Sequence, residues 1–249
     1  MIWPAGTAKA IARSLDIYYR DRARTAQMDR LNAQFVQQGA LVFDIGAHLG
    51  DRTASFRRLG ARVVSVEPQP AIFRALRLIH GRDPGVSLHA TAIGAAPGRT
   101  TLYLNTANPT VSTAERALVD AAQAADGWSD QVWDRAIETP VVTLDHLIGQ
   151  HGHPDFVKID VEGFEAVALR GLSHPVPALS FEFTTLQRAV AVDALHVLGA
   201  LGSYICNYSL GETHTLALPD WITPDAMAAQ VSALPDAANS GDIYARRVG

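Results

Sequence analysis

Two short runs concentrate the side chains able to do chemistry. The first is Asp44-Ile45-Gly46-Ala47-His48-Leu49-Gly50, where two glycines bracket a turn carrying a carboxylate and an imidazole. Gly46 permits backbone conformations closed to residues with a Cβ and lets a ligand approach the main chain closely. A helix after such a loop presents free N–H groups to a carboxylate or phosphate. The second run is Asp160-Val161-Glu162-Gly163-Phe164-Glu165, which crowds three carboxylates around a turn. Paired carboxylates of this kind serve proton transfer or bind a cation.

The loop spacing discriminates between cofactors. A dinucleotide fingerprint is G-x-G-x-x-G, and here Ala47 and His48 stand where a second early glycine is needed. No Gly-Lys-Ser/Thr follows, so it is not a P-loop either. Asp44 would repel a pyrophosphate and suits a ligand with a positive amino group. One unit later, Val64-Ser65-Val66-Glu67-Pro68 ends in a carboxylate able to accept hydrogen bonds from ribose hydroxyls. Taken alone, Glu67 could equally be an acidic residue favoured at a helix N-terminus. Beside the glycine loop, the ribose reading gains weight.

These residues need elements to position them. From Leu41 onward, short apolar runs alternate with helical patterns. Leu41–Ile45, Ala61–Val66, Val86–Ala92, Phe156–Asp160 and Ala178–Phe183 read as strands, followed by candidates at Tyr204–Tyr208 and Asp242–Arg246. Thr100–Leu104 reads as a short returning strand, and Val141–Ile148 as a strand start running into a helix. Helices are expected over Thr53–Leu59, Pro70–His80, Phe164–Leu169 and Leu186–Leu201. Strands without charge until their C-terminal ends fit a parallel sheet covered on both faces, hence a doubly wound α/β fold. In such sheets ligands bind beyond the C-terminal strand ends, where both acidic runs fall.

Two segments break the alternation. Residues 1–38 read as an N-terminal helical extension in which Ile11, Leu15, Tyr18 and Tyr19 share a face. Asp16, Asp21 and Asp29 interrupt its basic face, which favours packing over the domain at 39–249 or over a second subunit of a homo-oligomer, rather than a membrane surface. Residues 105–139 carry an alanine-rich helix candidate with Trp128 and Trp133, either a lid or substrate insertion or a structural helix filling a gap.

A formal net charge of −4 with mixed signs lacks the basic surplus of a nucleic-acid-binding protein. No stretch approaches the roughly 20 apolar residues of a membrane span, and the N-terminus lacks a secretory core. Cys206 is the single cysteine, so no internal disulfide forms, and it reads as a small buried side chain. A cytoplasmic location is the resulting expectation. His151 and His153 flank Gly152 in what reads as a loop rather than a ligand pair, and Asn108-Pro109 reads as a turn.

The run Val42 to Thr53 resembles the first motif of the FkbM family of methyltransferases. Val64–Pro70, Thr143–Ile148, Phe156–Glu165 and Leu179–Phe183 are similar to further signatures of that family, in order. The resemblance implies a class I Rossmann-like methyltransferase fold with a seven-stranded, mostly parallel sheet, the last strand antiparallel. It implies S-adenosylmethionine as cofactor and methylation of a hydroxyl on a carbohydrate or natural-product acceptor. Carried over by position, Asp44, Gly46, His48 and Gly50 would line the methionine side with Ala47 and Thr53 alongside. Glu67 would hold the ribose next to Pro68, Ala92 would lie near the adenine, and Asp160 and Glu162 would face the methyl group. Ser112-Thr113 stand where the family carries a serine pair.

Methyl transfer to an alcohol mainly needs alignment of nucleophile and S–CH3 bond, plus removal of one proton. Glu162 is the first candidate base and His48 the second, with Asp160 beside them; Glu162 could equally hold the turn or the cofactor's amino group. Asp160, Glu162 and Glu182 could converge on a metal, but the resemblance requires none and none is expected. The competing functions are an NAD-dependent oxidoreductase, against which the glycine spacing counts, and a non-catalytic cofactor-binding module.

Overall fold

The computed structural model describes residues 5–248 except 124, 126, 127 and 129. Residues 1–4 of the N-terminal extension, those four positions of the 105–139 segment and residue 249 lie outside the described residues.

Helices α1 (Ala5–Tyr19) and α2 (Arg22–Asn32) precede β1 (Leu41–Ile45), α3 (Asp51–Arg58), β2 (Arg62–Val66), α4 (Pro70–His80) and β3 (Val86–His89). Then come β4 (Ala92–Ile93), β5 (Gly98–Leu104), α5 (Arg116–Gln123), β6 (Arg135–Val142), α6 (Leu144–His151), β7 (Phe156–Ile159) and α7 (Glu165–Leu169). The chain ends with β8 (Ala178–Thr184), α8 (Arg188–Leu201), β9 (Tyr204–Leu210), α9 (Pro224–Ala233) and β10 (Ser240–Arg247). The main sheet has seven strands in the order β3-β2-β1-β7-β8-β10-β9, with β10 antiparallel to both its neighbours. This is the Rossmann-like methyltransferase arrangement expected from the resemblance.

Both faces are covered. Phe43 and Ile45 of β1 join Leu144, Leu169, Leu195 and Met227 of α6, α7, α8 and α9 in one core. Val42, facing the other way, joins Leu31 of α2 and Phe56 of α3. Phe43 is fully buried, and truncating such a side chain to alanine costs about 3–5 kcal/mol. The N-terminal extension packs on the domain: Ile11, Leu15 and Tyr19 of α1 cover Leu49, Ile72 and Ala75. Asp21 starts α2 by accepting the Arg24 N–H, an acidic N-cap.

Register creates the row on which function rests. Ile45 pairs with Val66 on one side and Ile159 on the other. Ile159 pairs with Phe181, and Glu182 pairs with Asp242. The residues just past those pairs therefore stand side by side: Glu67, Gly46, Asp160, Glu182 and Asp242.

Several expectations change. The third strand stops at His89, and Ala92 belongs instead to a separate three-stranded sheet, β4-β6-β5. Strand pairing with β5 takes Arg135–Thr139 out of the irregular 105–139 segment and into β6. Helix α3 starts at Asp51, directly after Gly50, rather than at Thr53. Helix α9 was not anticipated, although Thr223 caps it, accepting the Ala226 N–H, and Pro224 occupies its first turn. Among the described residues no helix is long and apolar enough to cross a membrane. Cys206 is buried, as expected.

Candidate active site

A cleft of about 1020 Å³, counted to its open mouth, lies over the C-terminal ends of β1, β2, β7 and β8. Asp44, Gly46, Ala47, His48, Glu67, Pro68, Ala92, Asp160 and Glu162 all line it. Gly50 and Thr53, also expected at the cofactor, do not. Gly50 has φ +84°, and a Cβ there would strike the His80 ring. Thr53 is buried behind Asp44, donating its hydroxyl to Asp44 Oδ2 at 2.5 Å and contacting Ser65 at 2.8 Å. Both residues shape the loop from behind.

The loop end is built from main-chain donors. Gly46 and Ala47 N–H groups both bond the Val66 carbonyl, which folds the glycine turn over β2. Gly46 has φ +79°, and an added Cβ would fall 1.6 Å from the Asp160 carbonyl oxygen. Glycine is thus required by the close approach of two strand ends as well as by its φ. Glu67 Oε2 accepts the His48 N–H at 3.0 Å, and Oε1 accepts the Gln69 N–H at 2.8 Å. Burial pushes the Glu67 carboxyl up to about 7, against the lowering effect of those two N–H groups. Burial likewise raises Asp44 to about 6, with Thr53 pulling the other way.

The opposite end is rich in carboxylates and poor in donors. One oxygen each from Asp160, Glu162 and Glu182 lies within 4.8 Å of the others. Lys158, 2% exposed, sends its ammonium to Asp242 Oδ1 at 2.6 Å and Asp160 Oδ2 at 3.1 Å. Burial alone would lower the Lys158 ammonium, but Asp160 and Asp242 outweigh it and hold it well above its ordinary value. Burial, then the neighbouring Asp160 charge, raise both Glu162 and Glu182 well above the usual carboxylate range. Glu165 serves the turn: its carboxylate accepts the Val161 and Gly163 N–H groups at 3.1 Å each. Glu162 itself has φ +54°, a left-handed conformation unfavourable for a residue with a Cβ, and its carbonyl accepts the Thr113 hydroxyl at 2.6 Å. His48 shares the left-handed conformation at φ +49°. Burial lowers its imidazole, which favours the neutral form.

Sequence reasoning missed the wall contributed by the extension. Tyr18 lines the cleft with its ring edge-on to His48, centroids 5.9 Å apart, under the Arg24 guanidinium at 5.0 Å. Arg24 and Arg52 both bond Glu212, at 2.6 and 3.0 Å, and both reach Asp51. These contacts join residues far apart in the chain, and no local motif signals them. Ser112 lines the cleft too, whereas Thr113 bonds the Glu162 turn. His151 lies in the last turn of α6, its Nε2 2.9 Å from that of His89.

The site fits a polar cofactor. His48 Nε2, Thr91 Oγ1 and Glu182 Oε2 are buried without hydrogen-bond partners, and all three residues line the cleft. Buried polar atoms are ordinarily satisfied, so these three await a ligand's polar groups.

No curated protein matches the sequence. Solved structures similar to it include a TehB-like SAM-dependent methyltransferase from Corynebacterium glutamicum, 13% identical, covering 99% of this chain and 100% of that one at a TM-score of 0.50. An O-methyltransferase from Bacillus cereus in complex with SAH is 12% identical, with 100% and 93% covered and a TM-score of 0.44. Aeropyrum pernix fibrillarin with natively bound S-adenosyl-L-methionine is 13% identical, with 92% and 75% covered and a TM-score of 0.46. At 13% identity the likeness to the first of these is one of fold alone. The sequence itself matches the Methyltransferase FkbM domain over residues 44–210, from the glycine loop to the end of β9. The chain therefore belongs to the FkbM methyltransferase family, whose methyl donor is S-adenosylmethionine.

Proposed function

We propose that the protein transfers a methyl group from S-adenosylmethionine to a hydroxyl of a carbohydrate or natural-product acceptor. The observation that carries this reading is the polarity of the cleft. One end holds Glu67 on two backbone N–H groups, each oxygen keeping acceptor capacity for a ribose diol. The other end holds Glu162 and Glu182, which suit a hydroxyl acceptor that must lose a proton.

The cofactor supplies a sulfonium whose methyl group is ready for displacement. Asp44, Gly46, Ala47 and His48 would hold its methionine side, Glu67 and Pro68 its ribose, and Ala92 its adenine. Gly50 and Thr53 act from behind the loop, Gly50 by donating its N–H to the Ala47 carbonyl and Thr53 by holding Asp44. Glu162 is the proposed base, with Asp160 positioned beside it by Lys158. His48, neutral and with Nε2 unpartnered, is the alternative base. The reading uses no metal: Lys158 already brings a fixed positive charge to the cluster. The carboxylate-rich wall favours a neutral polyhydroxyl acceptor over an anionic one.

Thermal shift with S-adenosylhomocysteine tests the assignment. The wild type is expected to be stabilised at millimolar ligand, and Glu67→Ala to lose most of that shift. No shift in the wild type would overturn the cofactor placement.

A further inference from the structure

Among the described residues, the two cations that line the cleft, Lys158 and Arg52, are already committed. Lys158 from β7 is shared between Asp160 of its own strand end and Asp242 of β10. Arg52 from α3 is held by Asp51 at 3.1 Å and by Glu212 at 3.0 Å. Glu165 from α7 adds a further carboxylate, tied to the turn that carries Glu162. His48 and Tyr18 face the cleft from the loop and from α1, and burial disfavours charge on both. Among the described residues Glu162 and Glu182 have no ion pair of their own, feeling Lys158 only at a distance, and Glu182 Oε2 is buried without a partner. Of two carboxylates this close in a half-buried cleft, one holds its proton well above the usual carboxylate range unless a cation joins them.

We propose that Glu162 and Glu182 hold one exchangeable proton whose presence is set by the charge of the cofactor. The pair is deprotonated beside the sulfonium of S-adenosylmethionine and protonated beside the neutral sulfur of S-adenosylhomocysteine. The inference rests on the cofactor placement proposed above. It also closes the proton balance of the reaction. The acceptor oxygen forms the new C–O bond, the S–CH3 bond breaks with its electrons going to sulfur, and the O–H proton goes to the pair. The charge lost at sulfur and the proton gained by the pair occur in the same step, so the net charge of pair plus sulfur is the same before and after transfer. Glu182, the residue with the sequestered oxygen, becomes a catalytic residue beside Glu162.

Titration calorimetry of both ligands at pH 7, in buffers of different ionisation enthalpy, tests this without an acceptor. S-adenosylmethionine is expected to release close to one proton more than S-adenosylhomocysteine; the amino-acid and adenosine groups common to both cancel. The affinity ratio in favour of S-adenosylmethionine should rise by up to about tenfold per pH unit across the titration of the pair. E182Q should still bind S-adenosylhomocysteine and lose the proton difference, and E162Q should reduce it. Equal proton counts for the two ligands in the wild type would overturn the proposal, as would a difference that persists unchanged in both variants. If neither ligand binds the wild type, the cofactor placement itself fails, and this inference with it.

Discussion

The two ends of the cleft hold their carboxylates in opposite ways. At the loop end, Glu67 is gripped by the N–H groups of His48 and Gln69, and Asp44 by the Thr53 hydroxyl. At the strand end, Asp160 shares the Lys158 ammonium with Asp242, and Glu162 and Glu182 stand beside them without an ion pair of their own. Main-chain donors preset a carboxylate to accept hydrogen bonds in one geometry, and they do not move during a reaction. A crowded cluster with too few donors does the opposite, since its protonation follows whatever charge arrives. On the function proposed above, one end binds and the other changes state.

The largest expected effect is on chemistry at the strand end. Glu162→Ala should lower turnover on an accepted substrate by about 10²–10⁴-fold while leaving S-adenosylhomocysteine affinity nearly unchanged. Equal losses in both would make Glu162 a binding residue and erase the distinction between the two ends.

Lys158→Met should destabilise the fold by about 3–5 kcal/mol in denaturant unfolding, because it strands Asp242 as a buried charge without its partner. A near-neutral result would show that Asp242 and Asp160 find other partners, and that the cluster is less constrained than its distances imply.

Glu67 gives a pH test at the loop end. Its carboxyl is shifted from an ordinary 4.5 to about 7 by burial, so the folded state holds the proton more tightly than the unfolded chain. Its stability contribution is complete below about 4.5 and is lost as pH rises towards about 7, a change on the order of 3 kcal/mol. Glu67→Gln should lose that slope, so that the stability difference between wild type and variant in chemical unfolding changes by this amount across the same pH window. An unchanged slope would mean that Glu67 is solvated in solution.

The smallest effect concerns the outer support of the loop. The Tyr19 hydroxyl donates to the Leu49 carbonyl at 2.8 Å, and Tyr19→Phe should cost about 1 kcal/mol with a small loss of S-adenosylhomocysteine affinity. No loss would separate the N-terminal extension from the cofactor loop energetically.

Legibility in the sequence follows the same division. The loop end was readable because β1, Gly46, Gly50 and Glu67 are local signals in consecutive units, each tied to a backbone requirement. The strand end was readable only in part. Asp160 and Glu162 stand in one turn, but Glu182 joins them through the pairing of Ile159 with Phe181, and Asp242 through the pairing with Glu182. Register between strands distant in sequence leaves no local trace. Tyr18, Arg24 and Glu212 were invisible for a further reason, since two of them lie before the family match and one just beyond it. Helix α9 was legible and overlooked: Thr223-Pro224-Asp225 is a helix start by residue type alone. The irregular 105–139 segment misled because the β-branched residues of Arg135–Val142 are interrupted by Pro140, which masks the middle strand of the three-stranded sheet.

The most direct test of the central claim is a crystal structure with S-adenosylhomocysteine bound. The account predicts ribose hydroxyls on the Glu67 carboxylate, the amino-acid moiety against Asp44 to His48, and the sulfur facing Glu162 and Glu182. A ligand bound with its ribose away from Glu67, or with its sulfur turned from the carboxylate cluster, would contradict it.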